Sequence, residues 1–389
     1  MVTNAANRPY AQLSREEMLE RARQLVPVLK ERALRSEELR QCPPETIQDF
    51  IESGLLTAGN PPRYGGYDID YDVTHDILIE LGRGDGSQAW CYAVWTVLNW
   101  AVGHFPLEAQ EEYFATGPYT LCSSSFDPSK GKAVRVPGGY RLTGHWDFSS
   151  GCDAASWFMP GATGPEGPLW LMLPRGDYEI VDTWHVSGLS GTGSKDIDVQ
   201  DVFVPEHRTL NPGAVGDTVM TGWRMHGRLT YRIPMRMLLI WELICPLIGI
   251  ADAAIEEFVT RWRGTVGRSR SGEGAQMQVR LAHAGAEVDA AKALFHKSMN
   301  DLLSMAGDNQ PYSELDKARF SRDKAFVVQL CVQAVNRLFD VSGGRSLYLS
   351  ERMQRLHRDA HALSHRDGMI LDFAGEAWGR EMLRAAPYK

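Results

Sequence analysis

The chain has 389 residues, 43% of them hydrophobic and 23% charged, the profile of a globular protein of two or three subdomains, since single cores stop growing near roughly 250–300 residues. A formal net charge of −8 and a pI near 5.8 lack the basic footprint of a nucleic-acid binder, which leaves small-molecule chemistry as the expected class. Cys42, Cys91, Cys122, Cys152, Cys245 and Cys331 show no CxxC spacing, so neither a zinc site nor a disulfide scaffold is expected, and no leader or membrane-spanning run is read, which places the chain in the cytoplasm.

From Ser14 the sequence SREEMLERARQLVPVLKERALRSEELR puts acidic residues after a serine N-cap and apolar residues at helical spacing. PPETIQDFIESGL, YDVTHDILIELGRG, SQAWCYAVWTVLNWAVGHF and LEAQEEYF continue the helical pattern, with NPPRYGG as punctuation. Residues 1–117 therefore read as a helical domain. Between 118 and 212 the texture changes to short alternating runs separated by Gly and Pro: YTLCSSSF, KAVRVPGGYRLTGHWDFSS, SWFMPGAT, GPLWLMLPR, YEIVDTWHV and KDIDVQDVFVPEH. These predict a compact antiparallel β unit. Residues 213–389 return to helical periodicity from about Arg232. The apolar run Met237–Ala254 contains Glu242 and Asp252 and reads as a buried core helix, and Gly264–Ala275 reads as a mobile loop. The fold class is mainly α with a central β unit.

Three polar strand ends carry candidate chemistry. In GHWDFSSGCDAASWF, Ser149 and Ser150 end an aromatic strand, and Trp157 follows. Hydroxyls and backbone N–H groups at a strand end can bind the polar edge of a flat heterocycle while an indole covers its face, although a capped turn beside a core tryptophan uses the same residues. CSSSFDP supplies Ser123, Ser124 and Ser125, and GLSGTGSKDIDVQDVFVP places Thr192, Gly193 and Ser194 in a tight turn before a strand. Neither phosphate-loop pattern is present, which disfavours a Rossmann or P-loop protein. Trp90, Tyr92, Trp95 and Trp100 can line a planar site, with Trp90 and Trp100 more readily read as core.

RYGGYDID, SQAWCYAVW, CSSSF, HWDFSSGCDAASW, GLSGTGSKDIDVQDVFVP, QMQVRLAHAGAEVDAA and RLHRDAHALSH occur in one order over roughly residues 15–383. Together they resemble the oxygenase components of two-component flavin monooxygenases built on the acyl-CoA dehydrogenase fold. That resemblance implies N-terminal helices, a middle β-barrel or sandwich and a C-terminal four-helix bundle, assembled as a homotetramer. It implies reduced FMN or FAD from a separate NAD(P)H:flavin reductase, O2, a C4a-hydroperoxyflavin, and a small aromatic substrate, with no nucleic-acid or membrane partner. By motif, Ser150 falls near the flavin N5 edge and Ser125 near the substrate, with Ser124, Ser149, Trp157, Thr192, Gly193 and Ser194 around the cofactor. Arg263, with Arg261 second, and Gln276 or Gln278 fall where relatives hold the flavin phosphate across a subunit interface, and Gly343 and Gly344 where backbone passes the cofactor closely. His365 matches the family's pocket histidine with one residue fewer in the spacing; His357 and His361 are rivals.

The departure from the family is in TVLNWAVGHF, where phenol hydroxylases carry a histidine and this chain has Leu98 and Asn99. Asn99 can hydrogen-bond a substrate but is no base, and His104 is a possible substitute. N-, S- or heteroarene oxygenation, an acyl-CoA dehydrogenase and a non-catalytic scaffold remain as alternatives. A dehydrogenase needs a placed carboxylate, and Glu351 lies off that pattern.

Overall fold

The computed structural model describes residues 12–212, 221–263, 273–366 and 368–384. The expected loop at Gly264–Ala275 falls mostly outside them. Helix α1 (Arg15–Leu39) begins at Ser14, whose hydroxyl accepts from the Glu17 N–H while the Glu17 carboxylate accepts from the Ser14 N–H. This reciprocal cap satisfies two otherwise orphaned donors. Helices α2 (Pro44–Glu52), α3 (Val73–Gly84), α4 (Gly86–Val102) and α5 (Leu107–Tyr113) follow. All of α4 is buried, as expected of a helix apolar on every side. Asp85 caps it, accepting from Gln88 N–H at 2.9 Å.

Nine strands form the middle unit: β1 (Cys122–Ser125), β2 (Gly131–Val136), β3 (Gly139–Ser149), β4 (Trp157–Gly164), β5 (Gly167–Leu171), β6 (Leu173–Pro174), β7 (Glu179–Val181), β8 (Lys195–Pro205) and β9 (Thr209–Leu210). Their order is β7-β8-β3-β2-β4-β5-β9, with β1 and β6 also on β4. The sheet is mixed rather than wholly antiparallel. β1 runs parallel to β4 over four residue pairs, and β2 meets β4 in parallel at Lys132 and Thr163. The β2–β3 hairpin intervenes between β1 and β4, so the chain returns in its original direction. Leu142, Trp146, Phe158, Leu171, Ile197 and Val204 fill a core of the sheet's own, each fully buried side chain contributing roughly 1.5–3 kcal/mol.

After the sheet come α6 (Thr221–His226), α7 (Met235–Glu242), α8 (Cys245–Trp262), α9 (Glu273–Gly307), α10 (Glu314–Phe339), α11 (Arg352–Ser364) and α12 (Leu371–Arg384). The charges inside the apolar run are paired. Glu242 lies 2.9 Å from His75 Nε2 on α3, and Asp252 accepts from Lys292 at 2.7 Å. α3 and α8 cross closely because Gly82 has no side chain: a Cβ there would sit 2.5 Å from the Pro246 carbonyl oxygen. The long helices thus close against the N-terminal helices, with β1 facing the same junction through α4 and the 189–194 turn held from α11 by Asp359.

Candidate active site

The hydroxyl-bearing turns meet. Between Trp146 and Ser149 the β3–β8 register slips, and Phe148 takes a φ of 64°, a conformation that a bulky residue adopts only under tertiary constraint. The kink brings Ser150 to the 189–194 turn, where Leu189 and Gly193 also have positive φ. Ser150 Oγ lies 2.6 Å from Ser194 Oγ, which lies 2.7 Å from Thr192 Oγ1. Trp90 Nε1 donates to Ser150 Oγ at 3.0 Å. Gly151 N–H donates to Thr192 O at 2.8 Å and ties the two turns. Ser150, Thr192, Gly193 and Ser194 therefore form one buried group, and Trp90 joins it although its spacing reads as plain core.

Ser149 and Ser123 are fully buried, and their hydroxyls have no hydrogen-bond partner among the described residues. Buried hydroxyls are costly to leave unsatisfied. Hydroxyls of this kind, on strands β3 and β1, suit the N–H and C=O edge of a flavin. Ser124 and Ser125 are half-buried at the end of β1, open to a ligand there.

Four candidates are placed elsewhere. Asn99 is consumed by the fold: its amide donates to Asn60 Oδ1 at 2.8 Å and Thr120 O at 3.2 Å, and its oxygen accepts from Tyr113 OH at 2.6 Å. Trp157 packs against Tyr113 and under the Arg208 guanidinium, 5.3 Å from its centroid, so its ring is committed to the core. His104 is buried edge-on to Trp100 and Tyr231, and burial holds its imidazole down to about 3, too weak a base for neutral pH. His365 caps α11 exposed, its Nδ1 2.7 Å from His361 O. Its rivals are spoken for: His357 stacks on Phe339 and His361 meets Asn336 Oδ1 at 2.7 Å.

Arg366, one residue beyond His365, is exposed, with its guanidinium 5.5 Å from the Trp90 ring centroid. Behind the serine turns, Asp359 accepts from Leu189 N–H at 2.7 Å. Burial, then the neighbouring Asp85, pushes the Asp359 carboxyl up to about 7. Neither residue stands out in the sequence, since their roles depend on contacts 170 positions apart in the case of Asp359 and Leu189.

A second group gathers at one end of the helical bundle. Arg263 ends α8, and Gln276 and Gln278 lie exposed near the start of α9, where Arg280 reaches Asp340 at 3.9 Å. Gly343 and Gly344 follow Asp340, exposed, with Gly343 at φ 75° and open space where each Cβ would be. Arg261 and Arg345 both pair with Glu351, at 3.6 and 3.1 Å. That pairing removes Glu351 as a free carboxylate base.

Helices, a mixed sheet with hydroxyl-lined ends and a closing helical bundle define a flavoprotein of the acyl-CoA dehydrogenase architecture. Residues 13–117 match the acyl-CoA dehydrogenase N-terminal domain and residues 243–367 its C-terminal domain. The chain is 34% identical to a pigment production hydroxylase of Rhodococcus sp. (95% of this chain, 96% of the relative). It is 32% identical to the oxygenase component of an FADH2-dependent resorcinol hydroxylase of Rhizobium sp. (91% of each). With the flavin-dependent monooxygenase oxygenase subunit HsaA of Mycobacterium tuberculosis it shares 35% identity (87% and 88%), and the HsaA crystal structure superposes with a TM-score of 0.90 at 30% identity over 97% of this chain and 99% of that one. The chain belongs to the oxygenase components of the two-component flavin-dependent monooxygenases within the acyl-CoA dehydrogenase family. It is an oxidoreductase that works with reduced flavin and O2.

Proposed function

We propose that the protein hydroxylates a small phenol-like aromatic, using reduced FMN or FAD delivered by a separate NAD(P)H:flavin reductase, as a cytoplasmic homotetramer. The observation that carries this reading is the buried row Trp90–Ser150–Ser194–Thr192, together with the Ser149 and Ser123 hydroxyls on β3 and β1, buried and unpartnered among the described residues. When bound, reduced flavin supplies the two electrons with which O2 gives one oxygen atom to the substrate and the other to water. Ser150 is the donor at the flavin N5 edge, fixed by Trp90 behind and Ser194 beside it. Pre-set hydrogen bonds of this kind need no reorganisation during reaction and keep water out. Ser125 orients the substrate. Arg263, Gln276, Gln278, Gly343 and Gly344 hold the flavin phosphate for a neighbouring subunit, a role that suits the planar guanidinium. The dehydrogenase alternative needs a free carboxylate, and Glu351 is held by two arginines.

The test is reconstitution. The purified chain alone should leave NADH and NADPH untouched, and addition of a flavin reductase should start O2 uptake and hydroxylation within a panel of phenols, indoles and thioethers. Rapid NADH oxidation by the single chain would defeat the two-component reading. Turnover confined to thioethers or amines would move the oxygen acceptor away from phenols.

A further inference from the structure

Between the end of β7 at Val181 and the start of β8 at Lys195 the chain runs without a strand, and this loop ends in the turn that carries Thr192, Gly193 and Ser194. A loop places a reacting group only as well as its surroundings hold it. Helix α11 grips this one at three successive residues. The Arg358 guanidinium donates to the Ser187 carbonyl, and the Arg358 backbone carbonyl packs so closely on Gly188 that a Cβ there would collide with it. Asp359 then accepts from the Leu189 N–H at 2.7 Å. Leu189 has a φ of 53°, unfavourable for a residue with a Cβ. Its carbonyl oxygen accepts from the Thr192 N–H at 3.1 Å, and from Thr192 the hydroxyl row runs through Ser194 to Ser150. The helix is itself anchored: Arg352 donates to Arg83 O at the end of α3, and Arg355 and Arg358 pair with Glu37 on α1 at 3.0 and 2.6 Å.

A carboxyl buried beside a second one, here Asp85, is costly to keep in a core, and the hydrogen bond to Leu189 is what Asp359 supplies in return. We propose that Asp359 is a positioning residue of the oxygenase reaction: acting from α11 through the Leu189 N–H, it sets the 189–194 turn and thereby the place of the Ser150 hydroxyl, which limits the loss of reduced flavin to hydrogen peroxide. The proposal rests on the placing of Ser150 at the flavin N5 edge and adds the residue that keeps it there. In that loss the flavin gives up two electrons, O2 takes them with two protons, and oxidised flavin and hydrogen peroxide remain. Its rate therefore needs no aromatic substrate to be measured.

The test is a double-mutant cycle read by stopped flow. Protein loaded anaerobically with reduced FMN, and separately with reduced FAD, is mixed with oxygenated buffer well below each variant's melting temperature, and peroxide release is followed. Asp359→Ala should speed release at least threefold, whereas Asp359→Asn, which keeps an oxygen for the Leu189 N–H, should stay within twofold of the wild type. In a Ser150→Ala background the same Asp359→Ala change should alter the rate less than twofold, because residues that act through one group are not additive. Should Asp359→Ala not fold, Gly188→Ala decides the matter, since its methyl group drives the turn off α11 with the carboxyl in place, and it should speed release as well. A wild-type rate in Asp359→Ala beside a fast Ser150→Ala would overturn the proposal and leave Ser150 at the flavin edge. So would an Asp359→Asn as fast as Asp359→Ala, or a full threefold effect in the Ser150→Ala background, which would assign Asp359 another route to the cofactor. A wild-type rate in Ser150→Ala would instead overturn the placing of Ser150 itself.

Discussion

Ser150 accepts from an indole and is hydrogen-bonded to Ser194, so its hydroxyl has little rotational choice. If it donates to the flavin N5 edge, Ser150→Ala should increase the share of reduced flavin lost as hydrogen peroxide while O2 consumption continues. Peroxide and product measured together decide this, and wild-type coupling would remove Ser150 from the flavin edge. Asp359 makes a different prediction. Its carboxyl takes up a proton more readily in the folded chain, at about 7, than in the unfolded one, near the ordinary carboxylate value of 3.8. Stability from this residue is therefore greatest below the unfolded value and is lost as pH rises through about 7. Each tenfold displacement of an ionisation is worth about 1.4 kcal/mol. Asp359→Asn keeps an oxygen for the Leu189 N–H and abolishes the ionisation, so its melting temperature should exceed that of the wild type by clearly more at pH 8 than at pH 5. The same difference in melting temperature at both pH values would mean that the carboxyl is not displaced.

At the scale of elements, the serine turns and the long helices were legible because their signals are local. A cap such as Ser14 announces a helix, and Gly-rich turns announce strand ends. What the sequence hid is longer in range. The parallel pairing of β1 with β4 depends on where a whole hairpin is laid aside, which alternation within a strand does not encode. His365 was placed by its motif with one residue fewer in the spacing, and α11 ends at Ser364, so the short-range motif does not fix where the residues after the helix point; Arg366, not His365, lies over Trp90. Asn99 was legible as a hydrogen-bonding group for a substrate, but its three partners within the fold come from separate segments. The turn after β3 is itself testable. Gly151 has φ 68°, and a Cβ there would lie 2.6 Å from Trp95 Nε1. Gly151→Ala should cost at least about 2 kcal/mol in chemical denaturation, from the left-handed backbone and the contact combined. It should also weaken reduced-flavin binding, since the Gly151 N–H holds the Thr192 turn. A stable variant with normal flavin affinity would separate that turn from the site.

Among the described residues, a run of consecutive large apolar side chains is left uncovered by the chain's own packing. Leu347, Tyr348 and Leu349 are 68%, 68% and 71% exposed in sequence, directly after the open Gly343–Gly344 segment and beside Arg345 and the end of α8. A run of large apolar side chains in water marks an interaction surface, and its neighbours here are the residues assigned to the flavin phosphate. If copies of the chain meet on this face, assembly and cofactor binding are one equilibrium, because the phosphate end of one subunit serves the next. Leu349→Asp should then shift the protein to smaller species in size-exclusion chromatography with light scattering, and lower reduced-flavin affinity in the same samples. Arg263→Ala should lower that affinity by about 1.5–3 kcal/mol, the worth of a charged hydrogen bond, with the assembly unchanged. A Leu349→Asp protein that dissociates yet binds reduced flavin like the wild type would confine the whole cofactor site to a single subunit. An intact assembly in that variant would place the subunit contact on another face.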